Sequence, residues 1–103
     1  RKKWIISSLS SSAKIYIDNG ASKALKSGKS LLPAGVIKIS GNFKKGDNIL
    51  IVDNNNIDIA RALSSFSSEE INKIKGLQSN QIENILGYAS KSEIIHKDDL
   101  VIL

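Results

Sequence analysis

The chain has 103 residues, 41% of them hydrophobic, and contains no cysteine. That suffices for one domain with a small core, and it excludes disulfides and thiolate metal sites. Fifteen Lys and Arg against ten Asp and Glu give a net charge of +5, which suits a polyanionic partner and equally a solvated surface. The single histidine excludes a histidine-cluster metal site.

Arg1-Lys2-Lys3 is basic, Trp4-Ile5-Ile6 is apolar, and the segment then turns serine-rich as far as Ser12. The apolar run falls far short of the roughly 20 residues that span a bilayer. It is also too short for the apolar stretch of a secretory signal, so no membrane association is expected and the cytoplasm is the expected compartment. Residues 1–12 read as a linker, with Trp4, Ile5 and Ile6 as candidates for docking on a neighbouring domain. The chain starts at Arg1 and has no methionine, so a piece of a longer product is expected.

Lys14 to Asp18 alternates as a strand, with Ile15 and Ile17 on one face and Tyr16 on the other. Asp18 or Asn19 then caps a short helix whose apolar stripe is Ala21, Ala24 and Leu25. Gly28 stands where the helix needs a left-handed stop. Pro33 and Gly35 suit a type I turn. Val36 to Phe43 reads as the next strand, with Ile37, Ile39 and Phe43 facing inward and Lys38, Ser40 and Asn42 outward.

Lys44 to Asp47 is a turn, and Asn48 to Val52 is a strand apolar enough to be buried on both faces. The Asp53 to Asn56 turn leads to a strand over 57–63. Ile57, Ile59 and Leu63 share one face there, and Arg61 shares their parity, so it must reach a rim or a buried partner. Ser67 and Glu70 form a capping box for a second helix bearing Ile71 and Ile74. Ser79 caps a third helix through Ile82, Ile85 and Leu86, which ends at Gly87 just before Tyr88. Strands over 93–96 and 100–103 close the chain. Short strands with tight turns point to a mainly β architecture with short helices, an α+β domain curled into a small barrel.

Few residues invite chemistry. Gly28-Lys29-Ser30 spells the end of a Walker A loop, but Lys23 stands where that motif needs glycine, and a helix precedes the triplet where a strand should. Gly41 to Gly46 has the glycine spacing, but Asp47-Asn48 follows it in place of Lys-Ser/Thr. His96 has neither a cysteine nor a second histidine to work with. Asp98 and Asp99 are adjacent and point apart on an extended chain, and Glu69-Glu70 is capping chemistry. No catalytic set and no metal set emerges. The sharper constellation is basic: Lys23, Lys26 and Lys29 around the first helix, and Lys38 on the outward face of the following strand. Such lysines are candidates for phosphate contacts that give affinity with little sequence information. No aromatic residue interleaves with them, which favours structured RNA over single strands.

The series Asp18, Gly20-Ala21, Gly28, Ser30-Leu31-Leu32-Pro33, Gly35, Gly41-Asn42-Phe43 and Gly46-Asp47 resembles a PUA domain, a small RNA-binding module. Further pieces resemble the version at the C-terminus of bacterial glutamate 5-kinases. These are Arg1 to Ile5, Asp58-Ile59-Ala60-Arg61, Ser67-Ser68, Ile74-Lys75-Gly76, Ile82-Glu83, Ile85-Leu86-Gly87-Tyr88 and His96-Lys97-Asp98-Asp99. Departures are Ala62, where that family usually has glycine, and the asparagine-rich turn at Asn54 to Asn56. The resemblance implies a PUA-type mixed pseudo-barrel over 13–103. It implies an intact, homo-oligomeric enzyme that phosphorylates glutamate with ATP and Mg²⁺ in the first step of proline biosynthesis. The active site would then belong to an amino-acid kinase domain preceding Arg1. This chain would be a non-catalytic accessory domain without its own cofactor, and RNA binding is the alternative role.

Overall fold

The computed structural model describes residues 13–87 and 93–103. The candidate docking residues Trp4, Ile5 and Ile6, the linker at 1–12, and Tyr88 lie outside them. Among the described residues, five strands form one mixed sheet: β1 (Lys14–Ile17), β2 (Val36–Ser40), β3 (Asn48–Val52), β4 (Asp58–Leu63) and β5 (Leu100–Ile102). Their spatial order is β2-β1-β3-β4-β5. β1 runs antiparallel to β2 and parallel to β3, and the β3–β4 and β4–β5 pairs are antiparallel. A parallel pair cannot be joined by a tight turn. The β1–β3 connection therefore runs through α1 (Asn19–Lys26) and β2.

Alternation decides which side chains meet. Ile15 and Ile17 of β1, Ile49 and Ile51 of β3, and Ala60 and Ala62 of β4 all enter one buried cluster. Leu25 of α1, Phe66, and Ile71 and Ile74 of α2 (Ser68–Ile74) join it. The other face of β3 is also closed, with Leu50 and Val52 buried, as its unbroken apolar run predicts.

Two bulges correct the expected facing. Ile17 pairs with Val36 while Tyr16 pairs with Lys38, so one residue of β1 opposes two of β2. Ile37 is the extra residue and stands 50% exposed instead of facing the core. On the other side of the sheet, Val52 pairs with Asp58 while Ile51 pairs with Ala60. The strand therefore starts at Asp58, and Ile57 is left exposed in the turn. Its N–H donates to Asp53 Oδ1 at 3.0 Å.

β2 also ends earlier than expected, at Ser40. Phe43 reaches the core from the loop, because Ser68 holds its backbone. Phe43 N–H donates to Ser68 Oγ at 3.2 Å, and Ser68 N–H donates to the Phe43 carbonyl at 3.0 Å. The Ser67–Glu70 capping box forms as read, with Ser67 N–H on Glu70 Oε1 at 2.9 Å and Glu70 N–H on Ser67 Oγ at 3.2 Å. The third helix, α3 (Ile82–Leu86), is preceded by a 3₁₀ turn at Ser79–Gln81. Gln78 occupies the cap in place of Ser79, its N–H donating to Gln81 Oε1 at 3.1 Å. The expected strand over 93–96 is reduced to one bridge between Leu31 and Ile95.

Candidate nucleic-acid interface

Three of the four candidate lysines meet at one helix end. Asp18 opens α1 by accepting the Ala21 N–H at 2.7 Å. At the other end Gly28, with φ +86°, turns the chain back. Its N–H donates to the Leu25 carbonyl at 3.0 Å, and the Lys29 N–H donates to the Ala24 carbonyl at 3.0 Å. This pair of bonds is a Schellman closure, which needs a left-handed residue at that position. It folds Lys29 back against the last turn, where Lys23 and Lys26 also lie. All three are exposed. Their first role is local, since cations at a helix C-terminus offset its partial negative charge. The same geometry concentrates three ammonium groups on one corner.

A fourth cation arrives from a distant part of the sequence. Ser30 Oγ accepts the Lys97 N–H at 2.9 Å, and the Leu31 N–H donates to the Ile95 carbonyl at 3.0 Å. These bonds staple the loop after α1 to the segment before β5, placing exposed Lys97 beside Lys29 and Ser30. Sequence reasoning missed Lys97, because no local pattern signals a contact across 67 positions. His96 and Asp98 belong to the same turn: the Asp98 N–H donates to His96 Nδ1 at 3.0 Å, so both cap a structural feature.

Lys38 stands apart from these. It lies on β2 opposite Tyr16, on the sheet face turned away from the Ile15–Ile17 core. Its Nζ sits 4.7 Å from the centre of the Tyr16 ring, a contact worth about 0.5–1 kcal/mol at an exposed site. The expectation that no aromatic interleaves with the lysines is thereby corrected. Tyr16 is separated from Lys38 by 22 positions in the chain, and only the antiparallel register brings them together.

Beside α1, an apolar hollow of about 290 Å³ is lined by Asp18, Ala21, Ala24, Ser30, Leu32 and Gly35, among others. Gly28-Lys29-Ser30 follows a helix and closes it, the reverse of a phosphate-cradling loop. Among the described residues, no group of three or more His, Asp or Glu is placed to hold a metal ion, and no helix is long and apolar enough to cross a membrane.

Known proteins resemble this arrangement in sequence and in shape. A glutamate 5-kinase of Pelagibacter ubique (strain HTCC1062) is 61% identical over 101 residues, covering 98% of this chain and 27% of its own. The chain thus spans about a quarter of that relative. A PUA domain from Aeropyrum pernix K1 superposes with a TM-score of 0.61 at 18% identity, covering 82% of this chain and 40% of its own. A chain of an H/ACA ribonucleoprotein bound to a substrate RNA gives 0.56 at 25% identity, covering 58% and 19%. Strands β1 to β4, the capped helix on their core side and the Leu32–Gly35 turn all fall within residues 13–86, which match the family model for the PUA domain. On fold and sequence together, the chain belongs to the PUA domain family.

Proposed function

We propose that this chain is the accessory PUA domain of a glutamate 5-kinase, modulating an attached catalytic domain and performing no chemistry itself. The observation that carries the reading is the 61% identity to such an enzyme across nearly the whole chain, confined to 27% of that enzyme. In this reading the intact protein transfers a phosphoryl group from ATP to the γ-carboxylate of glutamate, at the start of proline biosynthesis. ATP and Mg²⁺ would be held by residues outside this chain. The partners are the preceding amino-acid kinase domain, met through Trp4, Ile5 and Ile6, and further copies of the same enzyme. The domain would span 13–103, with 1–12 as its tether. The test removes residues 13–103 from the full-length protein. Altered inhibition by proline, altered Mg²⁺ dependence or a changed oligomer size supports the reading, and unchanged behaviour in all three contradicts it.

A second reading is favoured by one specific feature, the three cations at the end of α1 with Lys97 tied to the loop that follows. Lys23, Lys26, Lys29 and Lys97 form a basic corner fitted to phosphates, and Lys38 offers another contact on the sheet. The chain that shares the fold comes from an H/ACA ribonucleoprotein bound to a substrate RNA. In this reading the domain binds structured RNA by its backbone and shape. Changing Lys23, Lys26 and Lys29 together to Glu should abolish salt-sensitive binding of a hairpin RNA. Binding that survives the triple change would exclude this corner.

A further inference from the structure

The outward face of β1 and β2 carries a small patch distinct from the helix corner. Tyr16 and Lys38 are cross-strand partners, and Lys14 and Ser40 are the next pair on the same face. Lys38 and Ser40 are exposed, and Lys14 and Tyr16 are half-buried. Asp18, the next residue of that parity, is engaged as the helix cap. Among the described residues, neither Lys14 nor Lys38 has an ion-pair partner. Among the described residues, the Lys38 ammonium lies over the π-face of Tyr16.

From this juxtaposition we infer that Tyr16 is a stacking platform for one unpaired base of a single-stranded RNA, with Lys14 and Lys38 on its flanking phosphates. The inference rests on the RNA-binding reading above and extends it to a second surface and to single strands. In the free protein the Lys38 ammonium covers the ring. A base stacked on an aromatic ring gains more than that ammonium contact does. A phosphate also gives the ammonium a stronger partner than the ring did. Exchange of the cation for a base is therefore favourable on both counts. The regular antiparallel register holds Lys38 opposite Tyr16, and the bulge at Ile37 comes after that pair, letting Val36 pair with Ile17 and point to the core.

The test uses the full 103-residue chain and two labelled probes: an oligouridylate of about a dozen nucleotides and a blunt RNA duplex. Binding is read by anisotropy at low salt for the parent, Tyr16→Leu and Tyr16→Phe, with thermal melting as the check on folding. The inference expects Tyr16→Leu to weaken oligouridylate binding by roughly five- to a hundred-fold, Tyr16→Phe to bind within about twofold of the parent, and duplex binding to stay unchanged. Should Tyr16→Leu unfold, Lys38→Gln supplies the second arm: it should lower the salt slope for oligouridylate by roughly 0.7. Duplex binding by the parent without oligouridylate binding would overturn this inference and leave the helix corner standing. Equal loss of both probes in Tyr16→Leu would overturn it too. Failure of the parent to bind either probe would overturn the reading on which it rests.

Discussion

Ala21 and Gly35 meet so closely that a methyl group added at Gly35 would stand 2.5 Å from the Ala21 Cβ. The contact fixes α1 against the turn that launches β2, and the Asp18 N–H reinforces it by donating to the Gly35 carbonyl at 3.0 Å. Gly35 does not have a positive φ, so its requirement is purely one of space. Gly35→Ala should destabilise the domain by about 1–3 kcal/mol. Adding Ala21→Gly should restore part of that loss, since it removes the opposing methyl at a helix-propensity cost of about 1 kcal/mol. Urea titration of the two single variants and the double variant checks the sign of the coupling.

The cap of α1 yields a second expectation. Asp18→Ala leaves the Ala21 N–H without its acceptor and should cost about 0.5–2 kcal/mol. Asp18→Asn should cost less, because it keeps an oxygen acceptor. Chemical denaturation of both variants provides the comparison.

The Phe43–Ser68 clasp ties a loop to α2 through a buried hydroxyl that also donates to the Phe43 carbonyl at 3.3 Å. Ser68→Ala removes the acceptor of the buried Phe43 N–H and should destabilise the domain by about 1–3 kcal/mol. Amide hydrogen exchange should show Phe43 losing protection ahead of the β3 core.

The bulge at Ile37 separates two isoleucines that the sequence presents as equals in kind. Ile37→Lys should change stability by no more than about 0.5 kcal/mol, as a surface substitution. Ile17→Ala, at a fully buried position, should cost about 2–5 kcal/mol. Thermal melting distinguishes them, and equal losses would show that Ile37 is buried after all.

Much of this architecture was legible because local chemistry settled it. The Ser67–Glu70 box, the Asp18 cap, the Gly28 stop and the doubly buried run at Asn48–Val52 each follow from a few adjacent residues. Apart from the Gln78 cap, the differences in facing and strand extent arise from pairing between distant segments. Simple alternation groups Ile37 with Ile39 and Ile57 with Ile59, because it cannot anticipate a bulge, whose extra residue shifts the facing on one side. Segment 93–96 reads as a strand because Ile94 and Ile95 are apolar; both are buried, yet only Ile95 bridges to Leu31. The candidate site divides in the same way. Lys23 and Lys26 share one helix and Lys29 follows its glycine stop, so local sequence groups the three. Lys97 and the Tyr16–Lys38 contact depend on tertiary closure and on strand register.

The most direct test of the central claim compares the rate of glutamate phosphorylation by the full-length protein with that of the same protein lacking residues 13–103, at saturating ATP and Mg²⁺ and without proline. An accessory, non-catalytic domain predicts kcat within about threefold, since no transition-state contact is lost. A fall of about a thousandfold in a truncated protein that remains folded would place essential chemistry within this chain and contradict the account.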